Sequence, residues 1–494
     1  MSNSVRMGRR IATSLLLALA ACGREPASSG AAAKPSSAAP APAVSAQAAE
    51  ARNLPALPGV AAGQRDWAWR DVVANPLPDE APAASELLAL QPAAARMDAL
   101  ADLAAAKDPR ALATLMAALR DPQEAVAIQA AGLLAETHLL AALPRLVLGI
   151  GPYPIDYDIS PAVRAADASA LARLGSPAGI PFILIVLAEG TPLQWADNLL
   201  PWTRSPRVAF LQEQALPGLV TLAGTDFGFV IGGPVPAREA AVKAATAWWQ
   251  QHRAELWEHA PVDDAGLKTR VQLVMDHLDA YQLREIDAAR FLLSNLGPGG
   301  LPLIEPGLAH PDKLPRFHVL EIFERMADDS TPKTRVRLAS LAARPLLSDP
   351  APEVAVQAAR VCGAMKVADQ LVVALQQRRE PDVLDAVLDA LGKTGLPAAR
   401  QALDLFAASS RAAELSADGK VALQAALLAV DPTRDAGAFV ALLASPDNDL
   451  AFAALQRLIT LTGSSCGVDP LKPPAEREPA LAAARRALAE RRAP

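Results

Sequence analysis

From Ser85 onward, the chain consists of apolar helical patterns of about 10 to 15 residues, separated by Pro, Gly and Asp. Apolar residues three or four positions apart form one face of a helix, and Pro, Gly and Asp favour helix ends. Hydrophobic residues make up 51% of the chain but aromatic residues only 4%, so the side chains that favour β-sheets are scarce. The sequence therefore predicts an all-α fold.

Two internal repeats indicate how the helices are organised. The first begins at Asp121 and returns at Asp349, each followed by Pro, with seven of eleven positions identical. The second covers residues 221–254 and returns without a gap at 460–493, with 12 identities in 34 positions. In the first repeat we expect Asp to cap a helix, Pro to occupy its first turn, and small alanines to let the next helix approach closely. The chain is thus predicted to be built from similar helical units.

These residues resemble the HEAT-repeat family, including its bacterial short form. The resemblance covers most of Ser85 to the C-terminus and implies a HEAT-like α-solenoid of stacked antiparallel helix pairs. The unit at 221–254 resembles an element found at the end of helical arrays in bacterial HEAT proteins. Its second copy departs from the first, because Ala487 and Leu488 replace Trp248 and Trp249. We predict two solenoid segments, 85–260 and 267–494, joined near 261–266; one continuous solenoid with an insertion at 190–240 is the alternative.

The N-terminus carries a targeting signal. Met1–Arg10 contains three arginines and no acid, an apolar run of 11 residues follows, and Leu19-Ala20-Ala21-Cys22 comes next. This pattern resembles a bacterial lipoprotein signal peptide, residues 1–21, with Cys22 as the acylated residue. An ordinary secretory signal is the alternative, whereas 11 apolar residues are too few to cross a bilayer. The resemblance implies a lipid anchor on the periplasmic side of the envelope, and Gly23 implies the outer membrane.

Two segments separate this signal from the predicted helices. Residues 22–57 are rich in Ala, Pro and Ser and have no hydrophobic period, so we predict a disordered tether. Such a tether spans roughly 30 Å as a coil and about 100 Å when extended. Residues 58–84 are predicted to be an irregular lead-in to the first helices.

Charge and motifs limit the function. Removal of residues 1–21 lowers the formal net charge from −6 to −9, so the mature chain lacks the positive surface that nucleic acid binding requires. The chain has no Gly-x-Ser-x-Gly, phosphate-binding loop or His-Glu-x-x-His motif, and its six histidines are scattered. We therefore predict no catalytic residue, metal site or cofactor.

Four aromatic residues are candidates for contacting a partner. Trp195 and Trp202 lie on a Pro-rich stretch, and Tyr153 and Tyr157 lie in a loop between helices. Tryptophan is enriched at interaction hot spots, which favours binding, while packing of the tryptophans and a solvated tyrosine loop are the alternatives. We expect Trp248, Trp249 and Trp257 to pack in the core instead.

The remaining cysteines, Cys362 and Cys466, align with Leu134 and Phe227 in the two repeats. Both positions are therefore expected to hold buried, free thiols. The sequence as a whole predicts a non-catalytic scaffold or adaptor that binds unknown protein partners in the cell envelope. An enzyme or its accessory subunit, like the lyases among HEAT-like relatives, and a binder of envelope glycans or small ligands are the alternatives.

Overall fold

The computed structural model describes residues 90, 92–106, 111–151, 159–188, 207–275, 278 and 283–490. Within these ranges the regular elements are helices and none is a strand, which confirms the predicted all-α fold. No helix in the described ranges is both long and apolar enough to cross a bilayer. The predicted signal peptide, tether and lead-in lie outside these ranges.

The first half contains eight helices within the described ranges. They are α1 (Ala93–Ala105), α2 (Ala111–Ala118), α3 (Glu124–Glu136), α4 (Leu143–Ile150), α5 (Pro161–Arg173), α6 (Ile180–Ala188), α7 (Val208–Ala223) and α8 (Val235–Glu258). Alternate helices α1, α3, α5 and α7 pack side by side in one row. Helices α2, α4 and α6 pack against that row from one side. This stacking of helix pairs is a HEAT-like α-solenoid.

The second half repeats the arrangement with more units. Its helices are α9 (Ala265–Met275), α10 (Leu283–Ser294), α11 (Leu301–Ile304), α12 (Lys313–Arg325), α13 (Pro332–Leu346), α14 (Pro352–Ala364), α15 (Asp369–Gln377), α16 (Pro381–Thr394), α17 (Pro397–Ala407), α18 (Ser410–Ala413), α19 (Ala417–Val430), α20 (Gly437–Leu443), α21 (Asn448–Thr462) and α22 (Pro474–Glu490). Helices α10, α12, α14, α16, α19 and α21 form the inner row, in which each helix packs on the next. Helices α13, α15 and α17 form an outer row.

The second half packs beside the middle of the first half, at α4, and not at the end of the row formed by α1, α3, α5 and α7. Helix α9 packs on the short 3-10 helix Leu140–Ala142 and on α4, and α10 also packs on α4. One apolar cluster extends from Leu100 to Leu427 and crosses this junction. A separate cluster from Val421 to Leu488 closes the C-terminal end. The division into segments 85–260 and 267–494 stays a prediction.

The Asp-Pro turns bind neighbouring repeats together. Asp121 Oδ1 accepts a hydrogen bond from Gln123 N at 2.8 Å, and Asp349 Oδ1 accepts one from Ala351 N at 2.9 Å. Gln123 and Ala351 are themselves the N-caps of α3 and α14, so the expectation that Asp is the cap was wrong by two residues. Because of the turn at Pro, the N-cap of the helix lies two residues after Asp, and a carboxylate oxygen of Asp can bind a side chain of another helix. Each buried Asp pairs with an arginine of an earlier helix, Asp121 with Arg96 of α1 at 2.7 Å and Asp349 with Arg316 of α12 at 2.9 Å.

The first part of the loop in the second repeat has the same backbone in both copies, whereas Gly232 has a φ of 72° that its equivalent Leu471 does not share. Gly224 and Gly463 have φ of 74° and 75°, and Gly228 and Gly467 both have φ of 77°. Between each pair, Phe227 and Cys466 adopt φ of 55° and 52°, which is the left-handed region. The gapless sequence alignment of the two units is therefore confirmed by their loop geometry.

An arginine closes the loop in both copies. Arg238 Nε donates to Gly233 O at 3.1 Å, and the equivalent Arg477 Nε donates to Lys472 O at 2.7 Å. Arg477 Nη1 also reaches Leu443 O at 3.2 Å, at the C-terminal end of α20. Arg477 is buried and Arg238 is half-buried. A guanidinium can satisfy several helix-end and loop carbonyls at once, which explains why both copies carry an arginine at this position.

Candidate functional site

The structure places the predicted tryptophans in different ways. Trp249 and Trp257 are each 4% exposed, and Trp248 is half-buried. The Trp248 ring lies 5.9 Å from the Phe227 ring and stacks on His252 at 5.5 Å. Packing of this cluster against the core is thus confirmed. Trp195, Trp202, Tyr153, Tyr157 and Cys22 lie outside the described residues, and their roles stay predictions.

The two thiols differ from each other. Cys362 on α14 is fully buried, as its alignment with buried Leu134 predicted. Cys466 is only half-buried, so the prediction that it is enclosed was wrong. Cys466 lies at a left-handed position of the loop and packs at the edge of the C-terminal apolar cluster, as half-buried Phe227 packs at the edge of the main cluster in the first copy. Alignment with a large apolar residue therefore did not imply burial.

The entry to the Tyr153 loop is held by buried polar groups. Arg164 Nη1 donates to Gly149 O at 3.1 Å and to Gly151 O at 2.9 Å, where α4 ends. Asp167 on the same helix is buried, and burial raises the pKa of its carboxyl well above the usual range, against the opposing charges of Arg164 and Arg120. A Cβ on Gly149 would lie 2.0 Å from Asp167 Oδ2, so a larger residue there would displace this buried carboxylate. This part of the first half is specified by packing and polar contacts.

A groove along the inner row of the second half is the candidate binding site. It has a volume of about 1290 Å³ and is lined by helices α12, α14, α16, α19 and α21. Its lining includes Phe317, Glu353, Val356, Arg360, Asp382, Asp385, Asp389, Lys393, Asp418, Val421, Phe452, Arg457 and Ile459. Because five successive repeats contribute to it, the groove is a product of the stacking and not of one loop.

Helix α16 supplies the central charged stripe of this groove. Asp382, Asp385, Asp389 and Lys393 recur three or four residues apart, which places them on one helix face. The other face of α16 is apolar and buried, and includes Val383, Val387 and Leu391. The amphipathic pattern of one helix therefore positions three carboxylates along the groove. The sequence contains this stripe as acids at positions i, i+3 and i+7, but the sequence analysis did not identify these residues as a candidate site.

The carboxylates of the groove have different partners. Asp389 forms an ion pair with Arg457 of α21, and Glu353 forms one with Lys313 at 3.0 Å. Asp382, Asp385 and Asp418 form no ion pair within the described part of the chain. Near the N-terminal ends of α16 and α19 the groove thus has three carboxylates without a direct ion pair, while Arg360, Lys393 and Arg457 lie further along its lining.

Asp385 shows the effect of this arrangement most clearly. Burial, followed by the like charges of Asp418, Asp389 and Asp382, raises the pKa of its carboxyl to about 6. Its Oδ1 atom is buried and has no hydrogen-bond donor among the described residues. A Cβ on Gly419 would lie 2.7 Å from that oxygen, so glycine in the first turn of α19 leaves room for the carboxylate.

The groove offers recognition chemistry. Its aromatic side chains are Phe317 and Phe452, and Phe452 is 39% exposed although it is large and apolar. Within the described ranges no group of three or more His, Cys, Asp or Glu side chains is arranged to hold a metal ion. Negative charge next to exposed aromatic surface suits a ligand that presents both positive charge and apolar groups.

Comparison with known proteins adds little beyond this geometry. No family model and no curated protein matches the chain. The structure of human deoxyhypusine hydroxylase in complex with glycerol is similar over 73% of this chain and 97% of that chain, at 19% identity and a TM-score of 0.21. Kap121p is similar over 77% of this chain, at 14% identity and a TM-score of 0.29, and the match spans 45% of Kap121p. Likenesses at this level are to the helical-repeat architecture and carry no argument about function.

Proposed function

We propose that this protein is a non-catalytic scaffold that is lipid-anchored in the bacterial cell envelope and binds a protein partner through its inner-row groove. The observation that carries the proposal is the groove itself, about 1290 Å³ in volume and formed by five stacked helices. Stacked repeats create extended concave surfaces that recognise other chains. The carboxylates of Asp382, Asp385 and Asp418, together with the cations further along the groove, give that surface specificity, since complementary charges select partners and orient them.

The N-terminal sequence supports the location. Leu19-Ala20-Ala21-Cys22 has the small residues and the thiol that lipoprotein processing requires, and Gly23 favours transfer to the outer membrane. Residues 22–57 would then connect the lipid to the solenoid. A tether of that length lets the groove search a zone of roughly 30 to 100 Å beside the membrane.

The four aromatic residues identified from the sequence belong to the same proposal as a second contact region. In the sequence, Tyr153 and Tyr157 lie between α4 and α5 and Trp195 and Trp202 between α6 and α7, whereas the groove is formed by helices of the second half. A partner that reaches both regions binds two surfaces of one scaffold, which strengthens attachment without new chemistry.

Site-specific photo-crosslinking in the native envelope tests the groove. A benzoyl-phenylalanine replaces Phe452 in the groove, and in a matched control it replaces Leu405, which is 68% exposed on the outer-row helix α17. We expect a discrete protein adduct from position 452 and none of the same mass from position 405. Equal adducts from both positions, or a glycan adduct in place of a protein, would contradict the proposal.

The anchor is tested by Cys22→Ser in the same strain. We expect this variant to lose incorporation of a radioactive fatty acid and to leave the membrane fraction, because the acylated atom is the thiol sulfur. Adduct formation at position 452 should decrease with it if the partner is membrane-associated. Unchanged fatty-acid labelling would refute the lipid anchor and leave the groove experiment valid.

A further inference from the structure

The charge in the groove is distributed unevenly along its walls. Asp382 and Asp385 on α16 lie toward the same end as Asp418 on α19, whereas Lys393 lies about 16 Å further along α16. Asp389, between these ends, is already paired with Arg457. One end of the groove therefore carries net negative charge, and its three carboxylates have room for cationic partners.

The mutual repulsion of these carboxylates destabilises the protein, and a bound cation would reduce that repulsion. Asp418 repels Asp385 across the contact between α19 and α16, and the raised pKa of Asp385 reports that repulsion together with its burial. Buried Asp385 Oδ1 lacks a donor within the described residues. A cation in this end of the groove would reduce the repulsion, so a positively charged ligand is both complementary to this surface and stabilising for the protein.

Apolar side chains next to the acids limit the kind of cation. Phe452, Val356 and Ile459 line the same groove, and Phe452 is among the few large apolar residues that are well exposed. A small hydrated ion gains nothing from such walls. Lysine and arginine side chains, which combine an apolar stem with a charged end, match a surface of this composition.

The size of the groove fixes the length of the ligand. Five helices stacked at about 8–10 Å between axes extend over roughly 35 Å. An extended chain rises about 3.3 Å per residue, so about 10 to 12 residues fill the groove. This is the size of a linear segment of a protein and larger than a single side chain.

We propose that the groove binds a linear, amphipathic segment of the partner, whose lysine or arginine side chains pair with Asp382, Asp385 and Asp418 and whose apolar residues contact Phe452. This inference rests on the proposed function and names the chemistry of its partner. Asp385 is the central recognition residue because its carboxylate interacts electrostatically with those of both Asp382 and Asp418. Its Oδ1 atom is enclosed, so this atom acts on the ligand through its charge and not through a direct hydrogen bond.

A defined peptide probe tests this chemistry on the purified mature protein. The probe is a fluorescein-labelled peptide of about 12 residues with alternating Lys and Leu, measured by anisotropy at near-physiological salt. Two matched peptides replace every Lys by Glu or every Leu by Ser. We expect the Lys-Leu peptide to bind at least about tenfold more tightly than either, because charge and apolar contact are both required.

Matched variants locate the binding. The groove variant carries Asp382→Asn, Asp385→Asn and Asp418→Asn, and the control carries Glu414→Gln, Glu478→Gln and Glu490→Gln at exposed positions outside the groove. Both change the net charge by the same amount. We expect the groove variant to bind the Lys-Leu peptide about tenfold more weakly, and the control to change affinity less than about twofold. Circular dichroism and thermal melting check that each variant is folded at the temperature of the binding measurement.

Each remaining result overturns the inference. Equal losses in both triple variants would mean attraction to the overall negative charge, and equal binding of the Lys-Ser peptide would mean that polycations suffice. Tight binding of the Glu-Leu peptide, or no peptide binding at all, would mean that the groove selects another chemistry. The last two results leave the proposed function standing if position 452 still crosslinks a protein in the envelope, whereas loss of that adduct would refute both.

Discussion

The two copies of the repeated unit, α7–α8 and α21–α22, have the same backbone in the first part of the loop but different surroundings. The first copy lies in the middle of the chain, and the last turns of its long helix α8 contact the second half. There Glu258 Oε1 accepts hydrogen bonds from the Thr331 and Thr334 hydroxyls, the first at 2.7 Å. The second copy ends the chain and closes its own apolar cluster against α20. One local design therefore serves as a joint in one place and as an end in the other.

The difference follows from side-chain size at equivalent positions. Trp249 in α8 and Leu488 in α22 are both buried, 239 residues apart, and Trp248 is matched by Ala487. The larger residues in the first copy fill a junction with more neighbours, and Trp257 continues the contact by packing on Gly297. The smaller residues in the second copy fit a thinner terminal layer.

The largest difference between the copies is expected on truncating their core residues. Trp249→Ala should lower the free energy of unfolding by about 3–5 kcal/mol, and Leu488→Ala by about 2–3 kcal/mol, because the cavity left by an indole is larger. Urea denaturation followed by circular dichroism measures both. Equal losses would mean that the first copy is no more tightly packed than the second.

The joint itself is tested by Gly297→Ala. Gly297 has a φ of 66°, and a Cβ there would lie 2.3 Å from Trp257 Cε3, so we expect a loss of about 2–4 kcal/mol from clash and backbone strain. Gly395→Ala is the control, with a φ of 64° and no atom within 4 Å of the added Cβ, and should cost about 1 kcal/mol. Combining Gly297→Ala with Trp257→Leu should recover part of the loss. Equal effects of the two alanine variants would show that the Trp257 contact is unimportant.

The thiols give a smaller, kinetic contrast. Burial raises the pKa of the Cys362 thiol to about 12, whereas Cys466 lies half-buried in the terminal loop. Because the thiolate is the reactive form, iodoacetamide at pH 8 should modify Cys466 within minutes and leave Cys362 unmodified in the native protein. Peptide mass spectrometry reads out both sites, with urea-unfolded protein as the reference in which both react. Native modification of Cys362 at the rate of Cys466 would contradict the packing of α14.

The smallest expected effect concerns pH at the joint. Burial raises the pKa of the Asp329 carboxyl to about 6, and Arg253 Nη1 lies 3.8 Å from its Oδ1. A raised carboxyl pKa contributes stability below its unfolded value near 4, and that contribution is lost as the pH rises through about 6. Because the side chain is partly exposed, the loss should be under about 1 kcal/mol. Asp329→Asn should reduce the slope of stability between pH 4 and 6.5 without abolishing it, because Asp385 has a similarly raised pKa, and Glu478→Gln should leave the slope unchanged. An unchanged slope in both would exclude Asp329 as a source of it.

The helical units were predictable because their signals are local. The period of apolar residues predicted the helices. The repeat at an offset of 239 residues predicted the equivalence of Arg238 and Arg477, and the Asp-Pro repeat predicted the burial of Cys362. The groove could be predicted only in part from the sequence. The spacing of the acids of α16 places them on one helix face, but their partners lie on other helices. Arg457, which neutralises Asp389, is 68 residues away and was not predicted.

By itself, the sequence determined an all-α chain of repeated helix pairs, since helix periodicity and the identity of repeats are read within a short window. The tertiary structure alone decided that α9 and α10 pack on α4, that three acids of the groove have no ion pair among the described residues, and that Cys466 is only half-buried. Those outcomes depend on which faces meet and at what distance, and side-chain neighbours far apart in the chain are not specified by local periodicity.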